Sequence, residues 1–442
     1  HVTDVKDVTD LGIDVSPFSA DMIKGAVPLS LQVTEQFDGT SVLEANAVLD
    51  SVELVANAIN WRKPMGSSGK AQVTIDLVND QISSIPKFDV QTDDLVVSGS
   101  ALYDEPGGRL SRIDLDQIKY GRNDISGLLV PGGEGVWDAD FRGASLDLTD
   151  VWDEVIHSDL LTSGESFLED IGVSVQFDRV WLSEDRGVNN LTGAFARESE
   201  LWETIYVTAN VDSGESLEIK LTPSEKSNAR ILTVWSLDAG SVLRTLDIYD
   251  NMLGGELSLK GQFDDALPDQ PLRGVLEVHD YRILKAPALA KAISILALTG
   301  ILDALQGEGL GFDQLVLPYH YEDGILELKD AKATGASLGF TASGKVYTNA
   351  NALDIDGTIV PVYVLNSLLG NIPIIGNIFS GGEEGGGLFA ANYSMTGSRD
   401  DPDVSINPLS VLAPGFLRNI FSLGDGTHSG ELEEPDNSHN DR

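Results

Sequence analysis

The chain is dominated by an alternation of apolar and polar residues with a period of two. In the segment GGELSLKGQF (254–263), Leu257 and Leu259 fall on one face, and Glu256 falls on the other. The same alternation recurs in three later segments, 312–321, 324–335 and 337–347, and repeatedly in the first half. Strands of a sheet with one face exposed to solvent show this alternation. The pattern therefore predicts a mainly β chain of antiparallel strands, each bounded by Gly, Asp or Asn turns.

The apolar faces of these strands carry the candidate binding residues. They are Leu257, Leu259, Phe263, Leu315, Leu317, Tyr319, Leu326, Leu328, Leu338 and Phe340. Two sheets packed face to face would bury such residues as an ordinary sandwich core. A curved sheet would instead leave them open as a trough, and a large exposed apolar face normally marks a ligand or membrane site. Periodicity alone does not choose between these two arrangements.

Helical spacing is restricted to a few segments. Apolar residues recur every three or four positions in 149–157, 238–253 and 286–306, which predicts three helices. The third is the most apolar, but its uncharged run from Ala292 to Leu302 covers only eleven residues. A membrane-spanning helix needs ~20. We therefore expect this segment to be a buried helix or one that caps a groove.

Two apolar segments near the carboxyl end, 361–379 and 408–421, predict short amphipathic helices at one end of the sheet. Their apolar residues are Val364, Leu365, Leu368, Leu409, Leu412, Phe416, Leu417 and Ile420. Such helices would close the end of the sheet or dip into one leaflet of a bilayer; alternatively, they would simply protect an edge strand. The acidic residues 422–442 that follow predict a disordered tail.

Composition excludes several classes of function. With 29 Lys and Arg against 70 Asp and Glu, the net charge is −41, and a surface of that sign repels nucleic acid. The chain has no cysteine, which excludes disulfide-stapled domains and thiolate metal sites. The sequence begins at His1 without a charged segment followed by an apolar one, as expected either after removal of a targeting segment or in a fragment. We expect a fragment of a longer protein.

The motifs that resemble catalytic signatures lack their structural context. Ser337 in GASLG (335–339) would need a strand before it and a helix after it, but the following FTASGKVYT predicts another strand. The segment GSSGKA (66–71) has Ala71 where a phosphate loop needs Ser or Thr. His279 and His320 fall on polar strand faces, and no two histidines have the spacing of a metal-binding helix. We expect no enzymatic activity, no metal and no cofactor.

Four consecutive blocks carry a family resemblance: 238–261, 276–315, 323–346 and 353–421. In their order and spacing they resemble the AsmA-like proteins of the diderm bacterial envelope, and specifically the carboxyl end of the large YhdP-type members. The resemblance is close from about residue 230 to residue 421. Upstream, 48–77 fits more loosely, with Trp61-Arg62-Lys63-Pro64 as its best anchor.

The resemblance implies a bridge-like lipid-transfer protein. Its fold would be an elongated, twisted, U-shaped antiparallel β-sheet groove with a few short amphipathic helices, some of them capping the carboxyl-terminal end. Its function would be to carry phospholipid through the periplasm between the inner and outer membranes, whose surfaces are expected partners. The expected organisation is a β-groove segment (1–237), an AsmA-like region (238–421) and the tail (422–442).

Two other functions remain open at this point. One is a structural or assembly factor of the outer membrane that binds an envelope protein by adding a strand to a sheet edge. The other is a β-rich adhesin or glycan binder. The acidic surface and the Gly-rich turns favour it, but the six dispersed Trp residues do not. The direction of transport, the lipid preference, the energy source and the reason for the acidity do not follow from the sequence.

Overall fold

The computed structural model describes residues 23–56, 61–132, 136–152, 170–198, 201–224, 229–267, 269–296, 299–361, 390–399 and 401–409. Within these ranges the chain is mainly β, as predicted, and its helices are few and short. The chain divides into two compact units: unit 1 comprises His1–Trp152 and Phe167–Ser199, and unit 2 comprises Asp153–Ser166 and Glu200–Arg442. This division lies near residue 200, whereas the boundary drawn from the resemblance lies at residue 237.

Unit 1 contains strands β1 to β13. They are Ile23–Lys24 (β1), Leu29–Glu35 (β2), Thr40–Val48 (β3), Glu53–Ala56 (β4), Trp61–Lys63 (β5), Gly69–Val78 (β6), Gln81–Thr92 (β7), Leu95–Tyr103 (β8), Leu110–Tyr120 (β9), Asn123–Pro131 (β10), Trp137–Asp147 (β11), Ile171–Trp181 (β12) and Gly187–Glu198 (β13). Strands β1, β4 and β5 form a small separate sheet. The others form one sheet in the order β2, β3, β6 and then consecutively to β13.

One neighbouring pair in unit 1 corrects the expectation of a wholly antiparallel sheet. Strands β11 and β12 are parallel, with Trp137 opposite Ile171. Parallel neighbours need a connection of a dozen residues or more that returns the chain to the same end of the sheet, and residues 148–170 provide that length. The alternation within each strand is the same for both directions, so the pattern could not reveal this pair.

The connection after β11 begins at a polar cluster around Arg122. The Arg122 guanidinium donates to both Asp147 carboxylate oxygens, at 2.7 and 3.0 Å, and to Thr149 Oγ1 at 2.7 Å. It also lies 4.5 Å from the centre of the Trp181 ring. Burial alone would raise the pKa of Asp147, but the hydrogen bonds from Arg122 and Thr149 outweigh it and lower that pKa. Residues 149–152 are helical, as predicted for 149–157, and the rest of that segment lies outside the described residues.

A buried lysine fastens the small sheet of unit 1. Lys63 is only 1% exposed, and its ammonium donates to the carbonyl oxygens of Leu49 at 2.7 Å, Val52 at 3.0 Å and Pro64 at 3.3 Å. An ammonium carries three N–H donors, so the three carbonyls satisfy all of them. The lysine therefore ties β5 to the turn between β3 and β4.

Unit 2 contains strands β14 to β24. They are Leu201–Asn210 (β14), Ser216–Pro223 (β15), Arg230–Ser236 (β16), Met252–Phe263 (β17), Leu272–Ile283 (β18), Leu310–Glu322 (β19), Ile325–Thr334 (β20), Leu338–Tyr347 (β21), Ala352–Pro361 (β22), Ala390–Ser398 (β23) and Asp403–Leu409 (β24). Each strand pairs antiparallel with the next. Among the described residues no ladder joins β14 to β24, so this sheet is open.

The helices of unit 2 are shorter than the sequence pattern predicts. They are Ala239–Thr245 (α1), Pro287–Ile295 (α2) and Thr299–Gln306 (α3), with a 3₁₀ turn at Thr348–Ala350. The predicted helix 238–253 ends early because Asp247 has a positive φ of 59°, and its last residues, Met252 and Leu253, already belong to β17. Asp238 caps α1 by accepting from Ser241 N at 2.9 Å. The predicted helix 286–306 is divided into α2 and α3.

The sheet of unit 2 is strongly curled. Helix α2 begins four residues after β18 ends at Ile283, yet it packs against β24, and Lys291 Nζ lies 2.6 Å from Asp401 Oδ1. Asp401 precedes β24 at the far end of the strands and six strands away. On a flat sheet, with strands ~4.8 Å apart and ~3.4 Å per residue, Ile283 and Asp401 would be roughly 45 Å apart. The eight residues from Ile283 to Lys291 cannot span that distance, so the sheet coils round to meet the helix.

No helix among the described residues is long and apolar enough to cross a membrane. The segments 361–379 and 408–421, predicted to be helices, fall mostly outside those residues. Where they are described, the prediction is wrong: Pro361 is the last residue of β22, and Leu409 is the last residue of β24, paired with Ala390. Strand β24 extends to Leu409, so the first two residues of the segment 408–421 are extended and not helical.

Candidate functional site

The candidate site is the inner, apolar face of the unit 2 sheet, called the apolar face below. Nine of the ten predicted residues belong to one hydrophobic cluster there. Four are buried and five are partly buried against them: Leu257, Tyr319, Leu328 and Leu338, then Leu259, Leu315, Leu317, Leu326 and Phe340. The tenth, Phe263, is buried under the guanidinium of Arg230, 4.6 Å from its ring centre. The alternation thus identified side chains that the fold brings together.

Strand register explains why these residues share a face. Leu259 lies opposite Leu276, and Leu276 lies opposite Leu317, which forms an apolar row across three strands. Directly opposed residues in adjacent strands point to the same side of a sheet. Intervening residues such as Glu256 and Lys260 are exposed. The cluster continues with the same alternation through β24, where Val404 and Ile406 pack against it.

In the part of unit 2 that the structure describes, no second sheet covers the apolar face. Within the described part of unit 2 the strands belong to a single sheet, so the cluster is covered by the curling of that sheet and by the three short helices. Leu259, Leu276, Leu317 and Leu326 keep part of their surface exposed. An apolar face of one curled layer that stays partly accessible is the kind of surface that receives an apolar ligand.

Helices α2 and α3 pack on the apolar face, which agrees with the expectation that 286–306 is a buried helix or one that caps a groove. Ile293 in α2 and Leu305 in α3 are fully buried in the cluster. Outside the cluster, Lys291 of α2 donates to Asp401 Oδ1 and to the Pro402 carbonyl, at 2.6 and 3.3 Å. These contacts fasten the helix to the turn before β24.

Aromatic rings of both units lie on glycines in the neighbouring strand. Each of four pairs consists of directly opposed residues: Phe88–Gly99, Phe141–Gly127, Tyr319–Gly274 and Tyr393–Gly357. A β-carbon placed on any of these glycines would lie 2.5–2.7 Å from an atom of the opposing aromatic side chain, much closer than real contacts. Because these glycines have no side chain, the aromatic rings can lie against the backbone of the neighbouring strand.

A polar cluster lies at the end of β16 and β17, beside Phe263. Arg230 donates to Asp265 from Nη2 at 2.8 Å and from Nε at 3.1 Å, and to Gln270 Oε1 at 2.9 Å. It also donates to the Trp202 carbonyl at 2.8 Å. The side chains of Arg230 and Asp265 are only 4% and 11% exposed. Here the apolar face ends in a buried ion pair that the alternation did not predict.

No family model, curated protein or solved structure matches this chain. Support for the site therefore comes from the structure alone. The family that the sequence resembles is used below only as part of a proposal.

The remaining sequence candidates occupy the following places. Ser337 lies in the bend between β20 and β21, followed by a strand as expected. His279 is partly exposed beside Glu277, and His320 lies 3.8 Å from both Glu322 and Glu327. No group of three metal-ligating side chains occurs in the described ranges. The end-cap residues Val364, Leu365, Leu368, Leu412, Phe416, Leu417 and Ile420 lie outside the described residues.

Proposed function

We propose that this protein is a non-enzymatic lipid conduit of the bacterial envelope, in which the apolar face shields the acyl chains of phospholipids in the periplasm. The supporting observation is that a single curled sheet carries one continuous apolar cluster with no second sheet over it in the described part of unit 2. The sequence resemblance to AsmA-like proteins supports the same proposal, and membership of that family is part of it.

The energetics of lipid transfer explain why such a face would suffice. Exposing an acyl chain costs about 0.8 kcal/mol per methylene, hence about 12 kcal/mol for a chain of about 15 methylenes. Surface that replaces water around the chain removes most of that cost without any chemical step. Headgroups would stay in water at the open side, so the conduit requires no headgroup pocket.

Photo-crosslinking tests the proposal. A phospholipid with a diazirine in its acyl chain is presented in vesicles, and its attachment to the protein is quantified by mass spectrometry. Leu259→Asp puts a carboxylate on the apolar face at a partly exposed position. Ser258→Asp adds the same charge one residue earlier, on the opposite side of β17, and is the matched control.

We expect Leu259→Asp to reduce crosslinking several-fold and Ser258→Asp to leave it unchanged, with the fold of both verified by circular dichroism. Native mass spectrometry after gentle purification from a diderm bacterium should also detect several bound phospholipids. Undiminished crosslinking of a folded Leu259→Asp protein, or a lipid-free preparation, would count against the conduit.

One observation favours a second function, an assembly factor that binds an envelope protein. In the described residues β2 pairs only with β3, and its Leu31 and Val33 are 51% and 56% exposed. An unpaired edge with apolar side chains can accept a strand from another chain. A stoichiometric protein partner that is lost with Gln32→Pro, together with absence of lipid, would favour this function over the conduit.

A further inference from the structure

Tyr319 is a polar residue in an otherwise apolar row. It is opposed by Gly274 on one side and by Leu328 on the other. Two residues away along β19, Leu317 belongs to the row of leucines described above. Three residues away in the other direction, the strand ends at Glu322. The tyrosine therefore lies between the most apolar part of the face and the polar end of the strand.

The Tyr319 hydroxyl has no hydrogen-bond partner among the described residues, although the side chain is only 8% exposed. The oxygen lies over the backbone of two glycines, 2.7 Å from where a β-carbon of Gly261 or Gly274 would be. The Leu272 side chain lies beside it, 2.8 Å from the same point at Gly261. Buried hydroxyls normally find a partner because leaving one unpaired destabilises the protein.

Tyr393 provides an internal comparison. Its ring also lies on an opposed glycine, Gly357, but its hydroxyl donates to the Thr341 carbonyl at 2.7 Å. Burial raises the pKa of both tyrosines, with Asp356 adding to the effect at Tyr393. Each phenol therefore keeps its proton and remains a donor. Of these two tyrosines on glycines, Tyr393 uses its hydroxyl donor, whereas Tyr319 has no acceptor among the described residues.

We propose that the Tyr319 hydroxyl donates a hydrogen bond to an ester carbonyl oxygen of a lipid whose acyl chains lie on the apolar face. This inference rests on the proposed function. Water does not reach the hydroxyl in this conformation, so the lipid gains access by displacing the Leu272 side chain. The position fits an ester group, because in a phospholipid the ester is the junction between the acyl chains and the polar head.

The surroundings of the hydroxyl favour a neutral acceptor over a phosphate. Its paired neighbours Gly274 and Leu328 carry no charge, and the adjacent Leu272 is apolar. Placing an ionised group there without a partner of opposite charge would be strongly unfavourable. An ester carbonyl needs only one neutral donor, which Tyr319 provides.

A competition between ester and ether lipids tests the proposal. Vesicles contain equal amounts of diacyl and dialkyl phosphatidylethanolamine with chains of the same length, and native mass spectrometry measures the ratio bound. The dialkyl lipid lacks the carbonyl. We expect the wild-type protein to enrich the diacyl lipid about three- to tenfold, the range of one hydrogen bond. Tyr319→Phe should bring the ratio to about one, and Tyr393→Phe should retain the wild-type ratio.

A second measurement does not depend on relative affinity. With a lipid labelled with ¹³C at its ester carbonyls, the infrared carbonyl band should lie at lower frequency in the wild-type complex than in the Tyr319→Phe complex. Equal ratios and equal bands for these two proteins would overturn the role of Tyr319 while leaving the conduit intact. If the wild-type protein takes up neither lipid, the proposed function and this inference both fail.

Discussion

The buried ion pair between Arg230 and Asp265 permits a quantitative test of the packing at one end of the unit 2 sheet. Asp265→Ala removes the carboxylate that receives Nη2 at 2.8 Å and Nε at 3.1 Å, while the guanidinium stays buried. Removing one partner of a buried pair typically costs about 3–5 kcal/mol, because an uncompensated charge remains. The bonds to Gln270 and to the Trp202 carbonyl do not neutralise that charge.

Hydrogen exchange measured by mass spectrometry reports this loss of stability separately for each segment of the chain. Each tenfold loss of protection corresponds to about 1.4 kcal/mol. Peptides covering β16 and β17 in Asp265→Ala should therefore lose protection by between two and three and a half orders of magnitude, on the order of the 3–5 kcal/mol expected of a buried pair. Peptides from unit 1 should keep theirs.

The matched control is Asp114→Ala in unit 1. Arg112 donates two hydrogen bonds to the Asp114 carboxylate in the same bidentate geometry, both at 2.6 Å, but the two side chains are 44% and 30% exposed. An exposed pair contributes about 0–1 kcal/mol, so peptides of β8 to β10 should lose less than tenfold. If Asp265→Ala has as small an effect as Asp114→Ala, the reasoning from burial is refuted.

Two further predictions concern unit 1. Lys63→Met should lower the stability of unit 1 by several kcal/mol, since each unpaired buried carbonyl costs about 1–3 kcal/mol. Thermal unfolding measures this loss. If Lys70→Met, at an exposed lysine, has an equal effect, the prediction is contradicted. The folded state lowers the pKa of Asp147, so its contribution to stability is complete above the unfolded value near 3.8 and is lost as the pH falls through the folded value. Urea midpoints measured from pH 6 to pH 3 should therefore fall less steeply for Asp147→Asn than for the wild type, and identical profiles would refute the assignment.

The apolar face was predictable because alternation is a local property. Leu257 and Leu259 are two residues apart, so their shared side follows from strand geometry alone. The ends of α1 and β24 were not predictable from the same signal. Leu253 and Leu409 fit a helical stripe, and the strand pairing that overrides it comes from residues distant in the sequence, Arg282 and Ala390.

The buried polar contacts of Arg230, Asp265 and Lys63 were not predicted, for a different reason. Arg230 and Asp265 are 35 residues apart, and Lys63 binds carbonyls 11 and 14 residues before it. Nothing in the spacing of these residues indicates that they meet. The unpaired Tyr319 hydroxyl was equally invisible, because the alternation classes tyrosine only as apolar. One available signal was the presence of Gly261 and Gly274 in strands, where glycine often marks a close approach of another group.

The rings that lie on glycines link residues far apart in the chain into pairs that must change together. A larger residue at Gly357 would push the Tyr393 ring away from the neighbouring strand. A small residue at 393 would leave the backbone of Gly357 uncovered. Either single replacement damages the surface, whereas the two exchanged in one step could restore it. Divergent versions of this sequence should consequently vary at such positions jointly, as complementary couples of one bulky and one minimal side chain.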